Sequence, residues 1–287
     1  MMEHRNRWAI KTMAQVLRVS RQGYYAWLAT KDKRVSRHVV LDVLVYSEYR
    51  ASKGRNGYRR IQTGLAEKGH TYGHNTIQRS MQRQQIRGRM KRRFVKTTDS
   101  NHTLPVYPNI LKRYFTATLP NQKWAGDVTY VWTNSGWVYL AKYLDLCTRK
   151  VVGWSMSENI DAALVCSALK DALVREGFPM GVVVHTDRGR TYCSDAYREM
   201  VRDYSLRGSM SRKGNCWDNA VAESWFGILK RELEDMDTYM DLQAAYDSIF
   251  EFINCWYNTM RHHSSIGYKS PVNFEKELLQ SHQQSVQ

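Results

Sequence analysis

From residue 9 to residue 85 the apolar positions recur at helical spacing. Ala9, Met13, Val16 and Leu17 predict one short helix, and Ser20 is placed to cap a second that carries Tyr24, Trp27 and Leu28. Val40, Leu41, Leu44 and Val45 mark an amphipathic helix that Gly54-Arg55-Asn56-Gly57 breaks. Ile61 and Leu65 share a face of the next helix. Ile77 and Met81 mark the last, behind the turn at Gly69–Gly73 and with Asn75 as its cap. Residues 1–35 therefore read as a helix-turn-helix segment, whose second helix has the shape and charge to enter a major groove. Residues 36–96 read as a second all-α module with a basic tail.

The periodicity then changes. Three of the five prolines (Pro105, Pro108, Pro120) fall between Thr97 and Gln122, and residues 97–119 read as a linker. Trp124–Trp132, Trp137–Leu146 and Val151–Met156 are strand-like runs, separated by turn residues at Asn134-Ser135-Gly136 and Cys147–Lys150. Together they predict an antiparallel meander of three strands. Asp161–Glu176 has helical spacing, Gly181–His185 is a short buried-type strand, Asp195–Tyr204 is a helix and Leu206–Met210 a last strand. Helices over 219–233 and 242–257 close an α/β core at 120–280. Its mixed five-stranded sheet has flanking helices, and the fourth strand is able to lie beside the first. Residues 281–287 read as a polar tail.

Composition narrows the class. Apolar residues form 43% of the 287-residue chain, enough for a sizeable core. No run of about 18 apolar residues predicts a membrane span. With no signal-peptide core at the start, the expectation is a cytoplasmic protein with no membrane partner. The five cysteines stand singly, without zinc-site spacing, and read as reduced thiols. Charge is divided unevenly: residues 1–116 hold 25 Lys and Arg against 6 Asp and Glu, the remainder 18 against 21. That asymmetry predicts a polyanion-binding half joined to a half with another task. Arg59, Arg60 and the cluster Arg87, Arg89, Lys91, Arg92 and Arg93 are the candidate phosphate contacts.

Three acids stand in odd settings. Asp127 interrupts a run of β-branched and aromatic residues, where a buried carboxylate needs a partner, most simply a cation. Asp187 follows the fourth strand, where ligand-binding residues of α/β sheets lie. If strands one and four are neighbours, the two carboxylates sit about one interstrand spacing apart, ~5 Å. Glu223 shares a helical face with Asn219 and Lys230. Three hard oxygen ligands suit Mg²⁺, with Mn²⁺ as a substitute, and two such ions would clamp the attacking and leaving oxygens of a phosphoryl transfer. Lys230 and Asn219 are placed to hold DNA there. His185 reads as a strand-end histidine that satisfies its own hydrogen bonds.

The triad Asp127, Asp187 and Glu223, with 59 and then 35 intervening residues, resembles that of DDE transposases. More closely, the chain is similar to the second-frame (OrfB) transposases of the insertion-sequence family called IS-three. The likeness runs nearly the whole length, through Gly57-Tyr58-Arg59-Arg60-Ile61, Asp127-Val128-Thr129-Tyr130, Val152-Gly153-Trp154, His185-Thr186-Asp187-Arg188-Gly189, Ser209–Cys216, Asp218-Asn219-Ala220, Tyr257-Asn258 and Ser270-Pro271. Arg190-Thr191 and Trp217 depart from the family pattern. The resemblance implies an RNase H-like catalytic core similar to retroviral integrases. It implies catalytic and metal-binding roles for the three acids, and cleavage and strand transfer at transposon ends. The implied partners are terminal inverted repeats, target DNA, further copies of the chain and an upstream-frame (OrfA) product, all at the bacterial nucleoid. Two other readings stand beside it: an RNase H-like nuclease or resolvase that only hydrolyses, and an inert DNA-binding regulator.

Overall fold

The computed structural model describes residues 1–89, 103–213, 215–233 and 239–286, and the side chains of 32–36, 216, 285 and 286 are excepted. The chain forms two compact units, Met1–Arg89 and Met90–Gln287.

The first unit has four helices: α1 (Ile10–Val16), α2 (Arg21–Ala51), α3 (Tyr58–Glu67) and α4 (His74–Arg83). Ser20 caps α2 as expected, its Oγ accepting the Gly23 N–H at 3.3 Å. The helix then runs across the boundary at residue 35, because no Gly or Pro interrupts residues 24–51. The two modules of the sequence reading are thus joined by one rod. Leu41, Val45, Ile61, Leu65, Ile77 and Met81 form the core of this unit. Val40 faces outward instead, and α4 is capped at Gly73, two residues ahead of the expected Asn75 cap. The first helix buries little, with Ala14 inside and Val16 77% exposed.

The second unit is built on one sheet. β1 (Lys123–Thr133), β2 (Gly136–Asp145) and β3 (Val151–Ser157) make the meander. β4 (Val183–Thr186) and β5 (Arg207–Met210) add in parallel on the other side of β1, giving the order β3-β2-β1-β4-β5. The expected neighbourhood of strands one and four is therefore present. Helices α5 (Ala162–Arg175) and α6 (Asp195–Asp203) cover one face, with Trp124, Ala141, Tyr143 and Leu169 in the core between. Asp161 and Ser194 cap them through Leu164 and Tyr197 N–H groups. α7 (Ala220–Glu232), α8 (Leu242–Phe250) and a π-helical continuation, Glu251–Tyr257, cover the other face. Val131, Leu140, Trp225, Phe252 and Trp256 fill that second core.

Gly153 makes the approach of β3 to α5 possible. A Cβ there would lie 2.3 Å from Ala172 N and 2.5 Å from Ala168 O, both backbone atoms.

Two stretches differ from the sequence reading. The described part of the supposed linker, from residue 103, is laid onto the core: Leu111 is buried with Phe115 and Ala117 beside it, and Ile110 N–H donates to Ser209 Oγ at 3.0 Å. Short polar and proline-rich segments pack without periodicity, so spacing alone does not reveal them. The supposed polar tail belongs to a helix, α9 (Pro271–Val286), whose exposed faces carry little apolar pattern.

Candidate active site

Asp127 lies in mid-β1, opposite Lys142 of β2. The β1/β4 register pairs Ala125 with His185. Carried two residues further, the same register sets Asp127 beside Asp187, just past the end of β4. Gly126 keeps this region tight, since a Cβ there would meet Tyr143 Cε1 at 2.6 Å and Thr186 Cγ2 at 3.0 Å.

The Asp127 carboxylate is 8% exposed and accepts the Val128 N–H at 2.9 Å. Burial pushes its pKa up to about 8, and the Asp187 charge adds to that; the Lys142 charge and the Val128 N–H pull down, and the Glu223 charge pushes up again. Asp187 Oδ1 accepts the Gly189 N–H at 2.9 Å, which fixes its carboxylate at the turn. Glu223 stands exposed in the first turn of α7. Lys230, half-buried two turns on, has a pKa lowered by burial and pulled back by Asp127's charge.

These residues fit a divalent cation. Three hard oxygen donors from β1, the end of β4 and α7 repel one another, and a cation relieves that repulsion. Tyr192, whose hydroxyl is buried with no hydrogen-bond partner among the described residues, feels both Asp127 and Asp187. Among the described residues, no three His, Cys, Asp or Glu side chains already close on one point as a preformed cage.

Asn219 has its Oδ1 buried and, among the described residues, without a partner at the start of α7. Arg59 is exposed, its guanidinium 5.5 Å over the Tyr58 ring, and Arg60 is half-buried on the same turn. Arg87 is exposed, and Arg89 donates to the Lys53 carbonyl at 3.1 Å. Lys91, Arg92 and Arg93 lie outside the described residues.

His185 is a structural residue. Its Nδ1 lies 2.8 Å from Ser209 Oγ and its Nε2 2.9 Å from the Asp218 carbonyl, and burial lowers its pKa to about 4. Asp218 itself is a hub that sequence spacing did not expose. Its fully buried carboxylate accepts from Arg212 Nε and Nη2 at 2.9 Å, Arg113 Nε at 2.9 Å and Asn109 Nδ2 at 3.0 Å. The Arg212 guanidinium holds Asp218 well below the usual carboxylate range. Asp218 lies directly ahead of α7, so the hub anchors the helix that carries Glu223. The only sequence signal for it was the tripeptide Asp218-Asn219-Ala220.

The comparisons agree with this architecture. Two integrase core domain families match residues 117–216 and 204–271, and an HTH-like domain family matches residues 40–94. Transposase InsF for insertion sequence IS3A of Escherichia coli (strain K12) is 41% identical over 280 residues, covering 96% of this chain and 97% of the relative. The 31 kDa protein of insertion element IS600 from Shigella sonnei is 40% identical over 271 residues, covering 93% of this chain and 99% of the relative. Among solved structures, a chain of the simian T-cell lymphotropic virus intasome is similar at a TM-score of 0.47 and 16% identity, covering 75% of this chain and 70% of its own length. The HTLV-2 integrase catalytic core domain in complex with magnesium follows at a TM-score of 0.41 and 18% identity, over 56% of this chain and 99% of that one. With an integrase-like core, an HTH-like helical region and full-length relatives at this identity, the chain belongs to the transposases of the IS3 insertion-sequence family.

Proposed function

We propose that this transposase cleaves insertion-sequence ends and joins them to target DNA through Asp127, Asp187 and Glu223. The observation that carries the reading is the buried Asp127 carboxylate, held in the field of the other two acids on the sheet face that α7 covers. Asp127 and Asp187 would hold Mg²⁺ or Mn²⁺, with Glu223 completing the donor set and up to two ions accommodated. A divalent ion bound there supplies Lewis-acid stabilisation of the charge on the scissile phosphate and a more acidic attacking water.

The chain's own groups do the rest. Lys230, two turns beyond Glu223 and within the field of Asp127, would neutralise a phosphate oxygen of the bound strand. Asn219, at the start of the same helix, is the second DNA contact proposed for this face. The Asp218 hub holds α7 in register, so Glu223 needs little reorganisation when DNA arrives. The first step breaks one P–O bond with water and leaves a 3′-OH. In the second that hydroxyl attacks a target phosphodiester, forming one P–O bond as another breaks, so no external energy source is required.

DNA recognition falls to the basic half, through Arg59, Arg60, Arg87, Arg89, Lys91, Arg92 and Arg93, because the half that holds the acids is close to neutral and has little long-range hold on phosphate. Two ends must be brought together, which requires at least two copies of the chain, alone or with an upstream-frame OrfA product. The protein works in the cytoplasm, on the nucleoid. Among the described residues no helix is long and apolar enough to cross a membrane.

The test is cleavage of end-containing DNA with Mg²⁺ by wild type and Glu223→Gln. Loss of cleavage by a folded variant that still binds the DNA supports the reading; full activity in the variant overturns it.

A further inference from the structure

Lys142 has no part in the chemistry described so far, yet it is fully buried, at 0% exposure. It lies in mid-β2 directly across from Asp127, and cross-strand partners project from the same face of a sheet. That face is the one covered by α7. The ammonium sits 5.6 Å from the centroid of the Trp225 ring and 5.4 Å from that of Phe226. Phe226 lies between Glu223 and Lys230 on the helix, three residues after one and four before the other. Lys142 thus reaches the acidic site from the sheet side, as Lys230 does from the helix side.

As a structural residue Lys142 is a poor choice. An ammonium has three donors, and here, among the described residues, one hydrogen bond is formed, to the Ala125 carbonyl at 3.3 Å. Two aromatic faces help, but a methionine of similar length would fill the same space without burying a charge. What a methionine would not supply is positive charge beside Asp127. Each of the two groups pulls the other toward its charged form, without a salt bridge at contact distance between them. The field therefore acts on the whole acidic site and is not consumed by one ion pair.

We propose that Lys142 is a resident counter-ion of the acidic site, which partly offsets the mutual repulsion of its carboxylates and so sets how tightly a divalent ion is held there. The inference rests on the metal-site reading above. Before metal and DNA arrive, Lys142 keeps Asp127 compatible with its burial. Once a divalent ion is bound, the same charge opposes it. The site then holds its metal weakly until a DNA phosphate adds negative charge, which couples metal occupancy to substrate.

The experiment uses the full-length protein without DNA. Mn²⁺ binding is measured by calorimetry and by Mn²⁺-dependent thermal shift for wild type, Lys142→Met, Lys142→Gln and, as a site control, Asp187→Asn. At a protein-like dielectric, removing the unit charge directly across the strand from Asp127 predicts Mn²⁺ binding ~10-fold tighter or more in both Lys142 variants. Independently, in EDTA, the double variant Lys142→Met/Asp127→Asn is expected to melt higher than the sum of the two single effects, because each single variant forfeits the attraction between the two groups and the double variant forfeits it only once. If wild type binds Mn²⁺, Asp187→Asn abolishes it and both folded Lys142 variants bind with unchanged Kd, the counter-ion role is overturned while the metal site stands. If Asp187→Asn leaves Mn²⁺ binding unaltered, or neither wild type nor the Lys142 variants bind Mn²⁺, both readings fall. Additive melting temperatures in the cycle likewise overturn the role of Lys142.

Discussion

Replacing Asp127 by Asn should stabilise the metal-free protein near neutral pH. In the unfolded chain this carboxyl ionises near pH 3.8, whereas in the folded core it keeps its proton to about pH 8. Between those values the folded state binds the extra proton, so stability falls as pH rises and the loss is complete by about pH 8. Lys142 works the opposite way. Its folded pKa is lowered to about 7 from 10.5, so the unfolded state holds the extra proton between those values and stability rises with pH there. The two trends place the stability minimum of the metal-free protein above the ordinary carboxylate range and below the ordinary lysine range. A carboxyl moved from 3.8 to about 8 corresponds to at most ~6 kcal/mol, at ~1.4 kcal/mol per pKa step. Water entry and relaxation around a buried ion reduce this, and we expect ~2 kcal/mol from Asp127→Asn at about pH 7.5. For a domain of this size that is ~4–8 °C in Tm. Differential scanning fluorimetry in EDTA from about pH 4 to 9 gives the profile. The gain should vanish toward the acid end, where both states are protonated. An Asp127→Asn variant that melts at or below wild type across the whole range would refute the electrostatic argument.

Two further substitutions probe the frame around the acids. Gly153→Ala puts a methyl 2.3 Å from a helix backbone nitrogen that no rotamer change can move away. It should destabilise the core by ~3 kcal/mol in urea unfolding, and a loss under ~0.5 kcal/mol would contradict the close β3–α5 contact. Asp218→Asn removes the charge that gathers Arg212 and Arg113, two side chains that are themselves about half exposed. A loss of ~1–2 kcal/mol is expected at about pH 7. Because the folded pKa of Asp218 is depressed, its contribution is complete above the unfolded value of 3.8 and fades as pH falls below it, so the variant and wild type should converge in acid. Equal stability at neutral pH would contradict the anchoring role.

Much of the core was legible because its elements obey simple periods. The three meander strands, the helix over Asp161–Glu176 and the place of strand four beside strand one all follow from periodicity, turn residues and element order. Asp127 was legible for the opposite reason, as an acid that breaks the pattern around it. What escaped was chemistry made by tertiary contact. Lys142 reads as one cation in a strand, and only the sheet register and the rings of α7 make it part of the acidic site. Asp218 gathers partners more than 100 residues away in Arg113 and Asn109, beyond any local pattern. The stretch around Leu111 looks like a linker because its packing uses side-chain hydroxyls and single apolar anchors in place of a repeating face. Helix α2 crosses the boundary drawn at residue 35, because nothing in residues 24–51 marks where one module passes into the next.

The central claim is that Asp127, Asp187 and Glu223 form one polynucleotidyl-transfer site. The most direct measurement is strand transfer with a pre-cleaved transposon end, in Mg²⁺, by wild type and by Asp127→Asn, Asp187→Asn and Glu223→Gln, each shown to be folded and to bind the end. The account predicts joined product from wild type and none from any of the three variants. Joining that persists in any one of them, or wild type that nicks the DNA without ever joining it, would contradict the account.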